Sequence, residues 1–364
     1  MDDISPLERD IRRRIAAAGP MPVGEYMALC LGDPAHGYYM TRDPLGARGD
    51  FITAPEISQM FGELIGLWMA AVWKQLGAPA QVRIVELGPG RGTLMRDALR
   101  AAQVMPGLRE AVRVHLVEIS PVLRAAQERN LAGHPVTWHA NLNDVPEGLG
   151  IVVANEFFDA LPINQAVKRG GHWHERQVEV DSNGNLAFTT APDPLPHFER
   201  LLPPKVRAAP DGAIFEWRAD GPAMDLGRRL AKQGGAALAI DYGHVESAAG
   251  ETLQAVGQHA YADPLTAPGA LDLTAHVDFQ ALARAVEAMG ASAFGPLTQS
   301  DFLRRLGIET RAVTLKAKID SRKAAEIDAA VARLIGRGRS EMGALFKVAA
   351  YANRALGVPP GFES

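Results

Sequence analysis

The sequence predicts an α/β fold with a mostly parallel sheet and helices on both of its faces. Short apolar segments alternate with helical segments from residue 82 onward, a pattern typical of parallel sheets. The apolar segments are rich in β-branched residues, as are strands buried on both faces. A third observation is the glycine-rich turn that follows the first of these segments, Val82–Leu87.

The turn after the first strand carries Gly88, Gly90 and Gly92, and the acid Glu86 precedes it. Glycine allows positive φ and a close approach of the backbone to a ligand. Thr93 is in position to cap the next helix, whose free N–H groups favour a polar or anionic ligand group. The spacing differs from the G-x-G-x-x-G fingerprint of dinucleotide-binding folds. It resembles the first motif of class I S-adenosylmethionine (SAM) methyltransferases, and a tight turn without a ligand is the alternative.

The second strand ends in another acid, Glu118. Ser120 and Pro121 are then suited to be the N-cap and the first residue of a helix. An acid at the end of the second strand of a βαβ unit can accept hydrogen bonds from ribose hydroxyls. We therefore expect an adenosine site with SAM as the cofactor, in which Glu86 binds the ammonium group of SAM directly or through water.

A short third strand, Val136–His139, is followed by Asn141 and Leu142. Ligands in open α/β sheets bind outside the carboxyl ends of the strands. We therefore expect these two residues beside the adenine, although Asn141 serving only to turn the chain is the alternative.

The fourth strand, Gly150–Ala154, runs directly into Asn155, Glu156 and Asp159, with two aromatic residues between the acids. If the first and fourth strands are neighbours, these polar groups border the glycine turn and the transferred methyl group. A capped helix start, with the acids in its first turn, is the alternative role, and both roles can hold together.

The regions outside the alternating pattern define the predicted domains. Residues 1–80 form a helical extension, which either packs over the sheet or closes as a lid with Asp50, Phe51 and Thr53 towards the site. Residues 81–364 form the main domain, and residues 164–233, a hairpin plus a helix, form an inserted substrate subdomain before a fifth strand. The segment Leu345–Tyr351 is predicted to be a last, antiparallel edge strand.

Composition restricts the function further. The net charge of −4, with 22% charged residues, gives no broad electrostatic case for a nucleic-acid partner. Cys30 is the only cysteine, which excludes disulfide frameworks and cysteine-based zinc sites, and no other metal site is predicted. No apolar run is long enough to span a bilayer, and no signal or transit peptide is recognisable. We expect a soluble, cytoplasmic protein of bacterial appearance.

Five segments together resemble one family, the MidA-like SAM-dependent methyltransferases, which include the mitochondrial complex I assembly arginine methyltransferase. These segments are Asp33–Tyr39, Gly49–Ser58, Glu86–Gly92, Asn155–Pro162 and Asp241–Gly243. The resemblance implies the class I SAM methyltransferase (Rossmann-like) fold and SAM as cofactor. It also implies methylation of a protein arginine, the target being a respiratory complex I subunit, and a site to which the N-terminal segment contributes.

Carboxylates bind a planar guanidinium through paired hydrogen bonds, and one of them can accept the proton released after transfer. Glu156 and Asp159 are therefore the expected catalytic residues. The alternatives are a methyltransferase acting on a small molecule or RNA, and an assembly chaperone that binds SAM without turnover. An NAD-dependent dehydrogenase is disfavoured by the glycine spacing. The residues predicted to bind the cofactor are Thr53, Glu86, Gly88, Gly90, Gly92, Glu118, Asn141, Leu142 and Asn155.

Overall fold

The structure is a computed structural model that describes residues 4–46, 52–257, 260–317, 319–338 and 341–363. Its strands are Met21–Pro22 (β1), Val82–Leu87 (β2), Val112–Val117 (β3), Val136–His139 (β4), Gly150–Asn155 (β5), Ile163–Arg169 (β6), His172–Val180 (β7), Leu186–Pro194 (β8), Ile214–Arg218 (β9), Gly235–His244 (β10), Gln254–Gly257 (β11), Ala260–Ala262 (β12), Asp272–Thr274 (β13), Val277–Asp278 (β14), Ser292–Thr298 (β15) and Phe346–Ala352 (β16). Its helices are Pro6–Ala18 (α1), Val23–Gly32 (α2), Tyr38–Thr41 (α3), Ala54–Ile57 (α4), Gln59–Gln75 (α5), Thr93–Ala102 (α6), Leu108–Ala111 (α7), Pro121–Asn130 (α8), Phe198–Leu201 (α9), Pro204–Arg207 (α10), Gly221–Gln233 (α11), Phe279–Ala288 (α12), Gln299–Arg305 (α13), Ile308–Lys316 (α14), Ser321–Ile335 (α15) and Met342–Leu345 (α16).

A central sheet organises the molecule, with strands in the order β15-β16-β10-β5-β2-β3-β4 and β14 paired to β10. Strands β4, β3, β2, β5 and β10 run parallel to one another. Strand β16 is antiparallel to β10, and β15 is antiparallel to β16, so the sheet is mixed. Strands β2 and β5 are direct neighbours, and Leu87 pairs with Ala154. The turn after β2 and the polar segment after β5 therefore leave the sheet at the same edge.

Helices cover both faces of this sheet because successive residues of a buried strand point to opposite sides. Ile84 packs in the apolar cluster of α5 and α6, whereas Val85 packs in the cluster of α11 and α12. Helices α5 and α6 approach closely at Gly66, where an added Cβ would lie 2.3 Å from the backbone oxygen of Ala98. This close contact fixes α6, the helix that begins at the glycine turn.

The N-terminal extension divides between two cores. Helices α1 and α2 pack in a third apolar cluster with β7 and β13, away from the central sheet. Helix α5 packs on the central sheet itself. After Thr53 the chain forms the short α4, and the long α5 begins at Gln59, where the Ser58 side chain accepts a hydrogen bond from Met60 N–H and caps the helix. Asp50 and Phe51 lie outside the described residues.

The inserted region contains more strands than the predicted hairpin plus helix. Strands β6, β7, β8 and β9 form an antiparallel sheet, to which the N-terminal strand β1 adds. The β7–β8 hairpin is present, but α11 packs on the central sheet. The reason is an apolar stripe, including Leu226 and Leu230, that fits the cluster on that face.

Strands β11, β12 and β13, which follow β10 in the chain, form a separate three-stranded sheet in the order β12-β11-β13. Helix α12 begins at Phe279, where the Asp278 side chain accepts a hydrogen bond from Ala281 N–H. Within the described ranges, no helix has the length and apolar character needed to cross a membrane. In the same part of the chain, no group of three or more His, Cys, Asp or Glu residues is arranged to hold a metal ion.

Candidate active site

A cavity of about 570 Å³ opens at the carboxyl edge of the parallel strands. Its walls come from the turns after β2 and β5, the end of β3, the N-terminal segments around α3 and α4, and the small sheet of β11 to β13. Eight residues predicted from the sequence line it: Thr53, Glu86, Gly88, Gly90, Glu118, Asn155, Glu156 and Asp159.

The glycine turn forms the floor of the cavity beside α6. Gly88, Gly90 and Gly92 have φ values of 61°, 53° and 77°, a region that L-residues with side chains rarely adopt. An added Cβ at Gly90 would lie 2.6 Å from Leu45 Cδ1. Gly92, which is not among the cavity-lining residues, is the N-cap of α6. The predicted cap, Thr93, instead donates its hydroxyl to Glu56 Oε1 at 2.6 Å.

The two acids at the ends of β2 and β3 are both buried. Glu86 is 2% exposed, and its Oε2 has no hydrogen-bond partner among the described residues. Burial, and then the charge of Glu118, raise the pKa of Glu86 well above its usual range. Glu118 accepts hydrogen bonds from Ser120 N–H at 2.8 Å and Gln127 Nε2 at 3.1 Å, while burial raises its pKa. A ligand that brings N–H or O–H donors would stabilise both carboxylates.

Glu156 follows β5 in a strained conformation, with a φ of 50°. Its N–H donates to Ile240 O at 2.8 Å, which fixes the backbone. Its Oε1 accepts hydrogen bonds from Asn155 Nδ2 at 3.2 Å and Ala54 N–H at 3.3 Å. Burial, with a smaller contribution from the neighbouring charge of Asp159, raises the pKa of Glu156 to about 8.

Asp159 presents an unpartnered acceptor, since its Oδ1 has no hydrogen-bond partner within the described part of the chain and the residue is 5% exposed. Burial raises its pKa, while a hydrogen bond from Tyr242 and the charge of Arg218 act in the opposite direction. Asp241, which is fully buried behind the loop, accepts hydrogen bonds from Phe158 N–H at 3.0 Å and Asp159 N–H at 3.2 Å. Asp241 therefore holds the loop that carries Asp159.

Arg218 of β9 was not singled out in the sequence, yet it connects three parts of the site. Its guanidinium donates to the backbone oxygens of Asp159, Leu161, Ala275 and His276, at 2.6–3.2 Å. Its charge also lies near the carboxylates of Asp159 and Asp241. No local motif surrounds this arginine, so only the folded chain reveals its position.

Asn141 and Leu142 are not brought into the cavity. Asn141 Oδ1 accepts a hydrogen bond from Asp144 N–H at 3.2 Å, and Asp144 Oδ2 accepts one from Asn141 N–H at 3.3 Å. Leu142 packs in the apolar cluster beside Val145. The side chain of Asn141 therefore caps its own turn. Cofactor binding by Asn141 and Leu142 stays a prediction.

The wall made by the small sheet contributes residues that no sequence motif predicted. Gln254, Asp272 and Thr274 of this sheet line the cavity together with His276 beside it, whereas Tyr39, which also lines it, comes from α3 and the Asp33–Tyr39 segment. Burial lowers the pKa of His276, so it adds no strong positive charge near neutral pH. The strands that carry Gln254, Asp272 and Thr274 have three or four residues each, too few for a periodic pattern.

A glycine turn after the first parallel strand, buried acids at the ends of neighbouring strands and a cavity lined by these acids define a SAM-dependent methyltransferase. Residues 64–297 match the model of a family described as S-adenosyl-L-methionine-dependent methyltransferase. The chain belongs to this family, and the resemblance predicted from the sequence is confirmed. SAM is the cofactor.

Relatives with assigned names span most of the chain. The mitochondrial protein arginine methyltransferase NDUFAF7 of Homo sapiens is 39% identical over 348 residues, which cover 87% of this chain and 76% of that protein. Its mitochondrial homolog in Drosophila melanogaster is 37% identical over 341 residues, 85% of this chain and 77% of the relative. A superfamily member from Burkholderia thailandensis, solved with bound S-adenosyl-homocysteine, has a TM-score of 0.83 at 30% identity and covers 98% of this chain and 92% of that one.

The named relatives also correct one expectation. They are mitochondrial proteins, which contradicts the predicted cytoplasmic location, and that prediction is wrong. Targeting segments are removed and carry no part of the fold. The composition of the folded chain therefore gave no sound basis for assigning a compartment.

Proposed function

We propose that this protein transfers a methyl group from SAM to an arginine side chain of a protein substrate. The observation that carries the proposal is a set of three buried acceptor atoms without partners among the described residues: Glu86 Oε2, Asn155 Oδ1 and Asp159 Oδ1. All three residues line one cavity. A buried acceptor without a partner is unfavourable until a donor arrives. SAM and arginine are both cations that carry N–H donors, and the relatives named above are protein arginine methyltransferases.

The residues present fit SAM. Glu86 would accept from its ammonium group and Glu118 from its ribose hydroxyls, while Gly88 and Gly90 leave room for the ligand beside their backbone. Thr53 and Asn155 would complete the contacts from the N-terminal segment and from β5. When bound, SAM supplies a methyl group carried on a positively charged sulfur.

Glu156 and Asp159 are the proposed catalytic residues. Two carboxylates can hold a planar guanidinium through paired hydrogen bonds and orient one nitrogen towards the methyl group. Burial raises the pKa of Glu156 to about 8, and a guanidinium bound beside it would lower that pKa again, giving the charged carboxylate that accepts the proton released after transfer. Asn155 and Ala54 N–H hold Glu156 Oε1 in place for this role.

The finer features of the prediction belong to the same proposal. The mixed sheet with its parallel section is consistent with a class I SAM methyltransferase fold. Residues 1–80 would act as an extension that closes part of the site, and residues 81–364 as the main domain, with the inserted region at 164–233 shaping the substrate side. A subunit of respiratory complex I is the proposed target, as the family resemblance implies.

Titration of the purified protein with SAM, S-adenosylhomocysteine and NAD tests the cofactor, with Gly90→Val as the variant that should lose binding. A valine at this position meets both a positive φ and Leu45. Methyl transfer to arginine-containing peptides then tests the reaction. The double variant Glu156→Gln, Asp159→Asn should bind SAM and lose transfer. Retained transfer by the double variant would reject these catalytic roles. Absence of SAM binding by the wild-type protein would reject the cofactor assignment. Wild-type protein that binds SAM but transfers no methyl group to any arginine would favour the chaperone.

A further inference from the structure

One of the carboxylates that line the cavity belongs to the small sheet. Asp272 and Thr274 of β13 line the cavity, whereas Leu273 between them packs in the apolar cluster with α1 and α2. This alternation follows from the two-residue period of a strand, so the polar face of β13 is turned towards the site. Asp272 is 5% exposed, although carboxylates are rarely buried without a reason.

Hydrogen bonds fix Asp272 relative to both sides of the proposed site. Tyr39 Oη donates to Asp272 Oδ1 at 2.8 Å, and Tyr39 O accepts from Ser120 Oγ at 2.6 Å. Ser120 N–H in turn donates to Glu118. At the other end of β13, Ala275 N–H donates to the backbone oxygen of Asp159 at 3.2 Å. The small sheet therefore connects the proposed cofactor acid to the proposed catalytic acid.

The cavity has a marked excess of acidic groups over basic ones. Among the described residues, its carboxylates are Glu56, Glu86, Glu118, Glu156, Asp159 and Asp272. The guanidinium of Arg91 also lines it, but this group is bound to both oxygens of Asp43, at 2.8 and 3.0 Å. Burial is the main cause of the raised pKa of Glu156, and the charge of Asp272 makes a smaller contribution in the same direction. A cation that binds near Glu156 would therefore relieve repulsion between carboxylates from different walls.

An arginine side chain has more N–H hydrogen-bond donors than two carboxylates on one loop engage. Its guanidinium has five N–H groups in a rigid plane, whereas a lysine ammonium is a compact point charge. A carboxylate on a separate wall can engage an edge of the plane that Glu156 and Asp159 leave open. We propose that Asp272, oriented by Tyr39, is a third substrate-binding carboxylate and makes the site select a guanidinium over an ammonium. This inference rests on the proposed arginine methyltransferase function.

The test uses the full chain saturated with S-adenosylhomocysteine and titrated calorimetrically with acetyl-Gly-Arg-Gly-amide or its lysine counterpart. Asp272→Asn keeps the size of the side chain and an acceptor for Tyr39 but removes the charge. We expect it to weaken binding of the arginine peptide by roughly tenfold or more, the usual effect of losing a charge-assisted hydrogen bond. Binding of the lysine peptide and of S-adenosylhomocysteine should change by less than about twofold. Asp193→Asn, the same change on an exposed strand residue, is the matched control and should behave as wild type.

Tyr39→Phe provides a second variant, which keeps the charge of Asp272 but removes its orienting hydrogen bond. It should weaken arginine binding less than Asp272→Asn does, and it decides the matter if Asp272→Asn does not fold. If the Asp272→Asn protein binds the arginine peptide as tightly as wild type does, the inference is overturned and the proposed function stands. Equal weakening for both peptides, or loss of S-adenosylhomocysteine binding, would also overturn it. A wild-type protein that binds S-adenosylhomocysteine but not the arginine peptide would overturn the proposed arginine substrate and this inference with it.

Discussion

Glu156 Oε1 accepts a hydrogen bond from the backbone N–H of Ala54 at 3.3 Å, which joins the loop after β5 to the N-terminal extension. The two residues are far apart in sequence and meet only at the cavity, which Glu156 lines. The same oxygen accepts from Asn155, so the carboxylate is oriented from both sides. A change in the charge of Glu156 therefore acts on the loop and on the extension together.

Glu156 should make the stability of the cofactor-free protein depend on pH. Burial raises its pKa from 4.5 to about 8, so the folded protein keeps this proton over a range in which the unfolded chain has released it. The stabilisation is fully present below about pH 4.5 and is lost as the pH rises through about 8. We expect Glu156→Gln to lose less thermal stability than wild type between these values, as measured by melting curves at a series of pH values. Glu128→Gln, exposed on α8, is the control, and parallel curves for Glu156→Gln and wild type would contradict the prediction.

Arg218 should be important for stability because its guanidinium satisfies four backbone oxygens in the interior. Arg218→Lys offers fewer donors and cannot reach the same set, so buried oxygens lose their partners. We expect a loss of about 2–4 kcal/mol in the free energy of unfolding, since each unsatisfied buried group costs about 1–3 kcal/mol. Urea denaturation measures the loss. Arg354→Lys, at an exposed position, should change it by less than about 0.5 kcal/mol, and an equally small effect at Arg218 would refute the expectation.

The strands and the glycine turn could be predicted because their signals are local. Val82–Leu87 and Val112–Val117 are short, mainly apolar segments rich in valine, with an acid at or directly after the end, and this pattern can be recognised from the segment alone. The sequence alone does not show that β2 and β5 are neighbours. The pairing of Leu87 with Ala154 shows that they are. Glu86, Glu118, Glu156 and Asp159 consequently reach one cavity from three separate segments.

The rest of the site depends on contacts between distant residues and leaves no local pattern. The partners of Arg218 are backbone oxygens 57–59 positions away in sequence, and any residue supplies such an oxygen. Asp272 lies in a strand of three residues, which is too short for the two-residue alternation of a strand to be recognised in the sequence. Helix α11 was assigned to the insertion because sequence order placed it there, whereas its apolar stripe packs on the central sheet.

The contact between α5 and α6 should tolerate no side chain at Gly66. An added Cβ would lie 2.3 Å from Ala98 O and 2.6 Å from Ala98 Cα, so the two helices must separate. We expect Gly66→Ala to lower the free energy of unfolding by about 1–3 kcal/mol, the usual cost of overpacking a core. Chemical denaturation tests this value. Gly221→Ala is the control, because the first residue of α11 has open space around it, and equal effects of the two substitutions would refute the packing argument.

Thr93 should link cofactor affinity to the N-terminal extension. Its hydroxyl donates to Glu56 Oε1 at 2.6 Å, which joins the first residue of α6 to α4. Thr93→Val keeps the shape of the side chain and removes the donor, leaving a carboxylate oxygen without this partner. If the extension completes the cofactor site, S-adenosylhomocysteine should bind several-fold more weakly by calorimetry, while the free energy of unfolding falls by only about 1 kcal/mol. Thr314→Val, at a hydroxyl that bonds only within α14, should leave the affinity unchanged. Unaltered affinity in Thr93→Val would assign residues 1–80 a packing role, because the contact between α4 and α6 would then have no influence on the ligand.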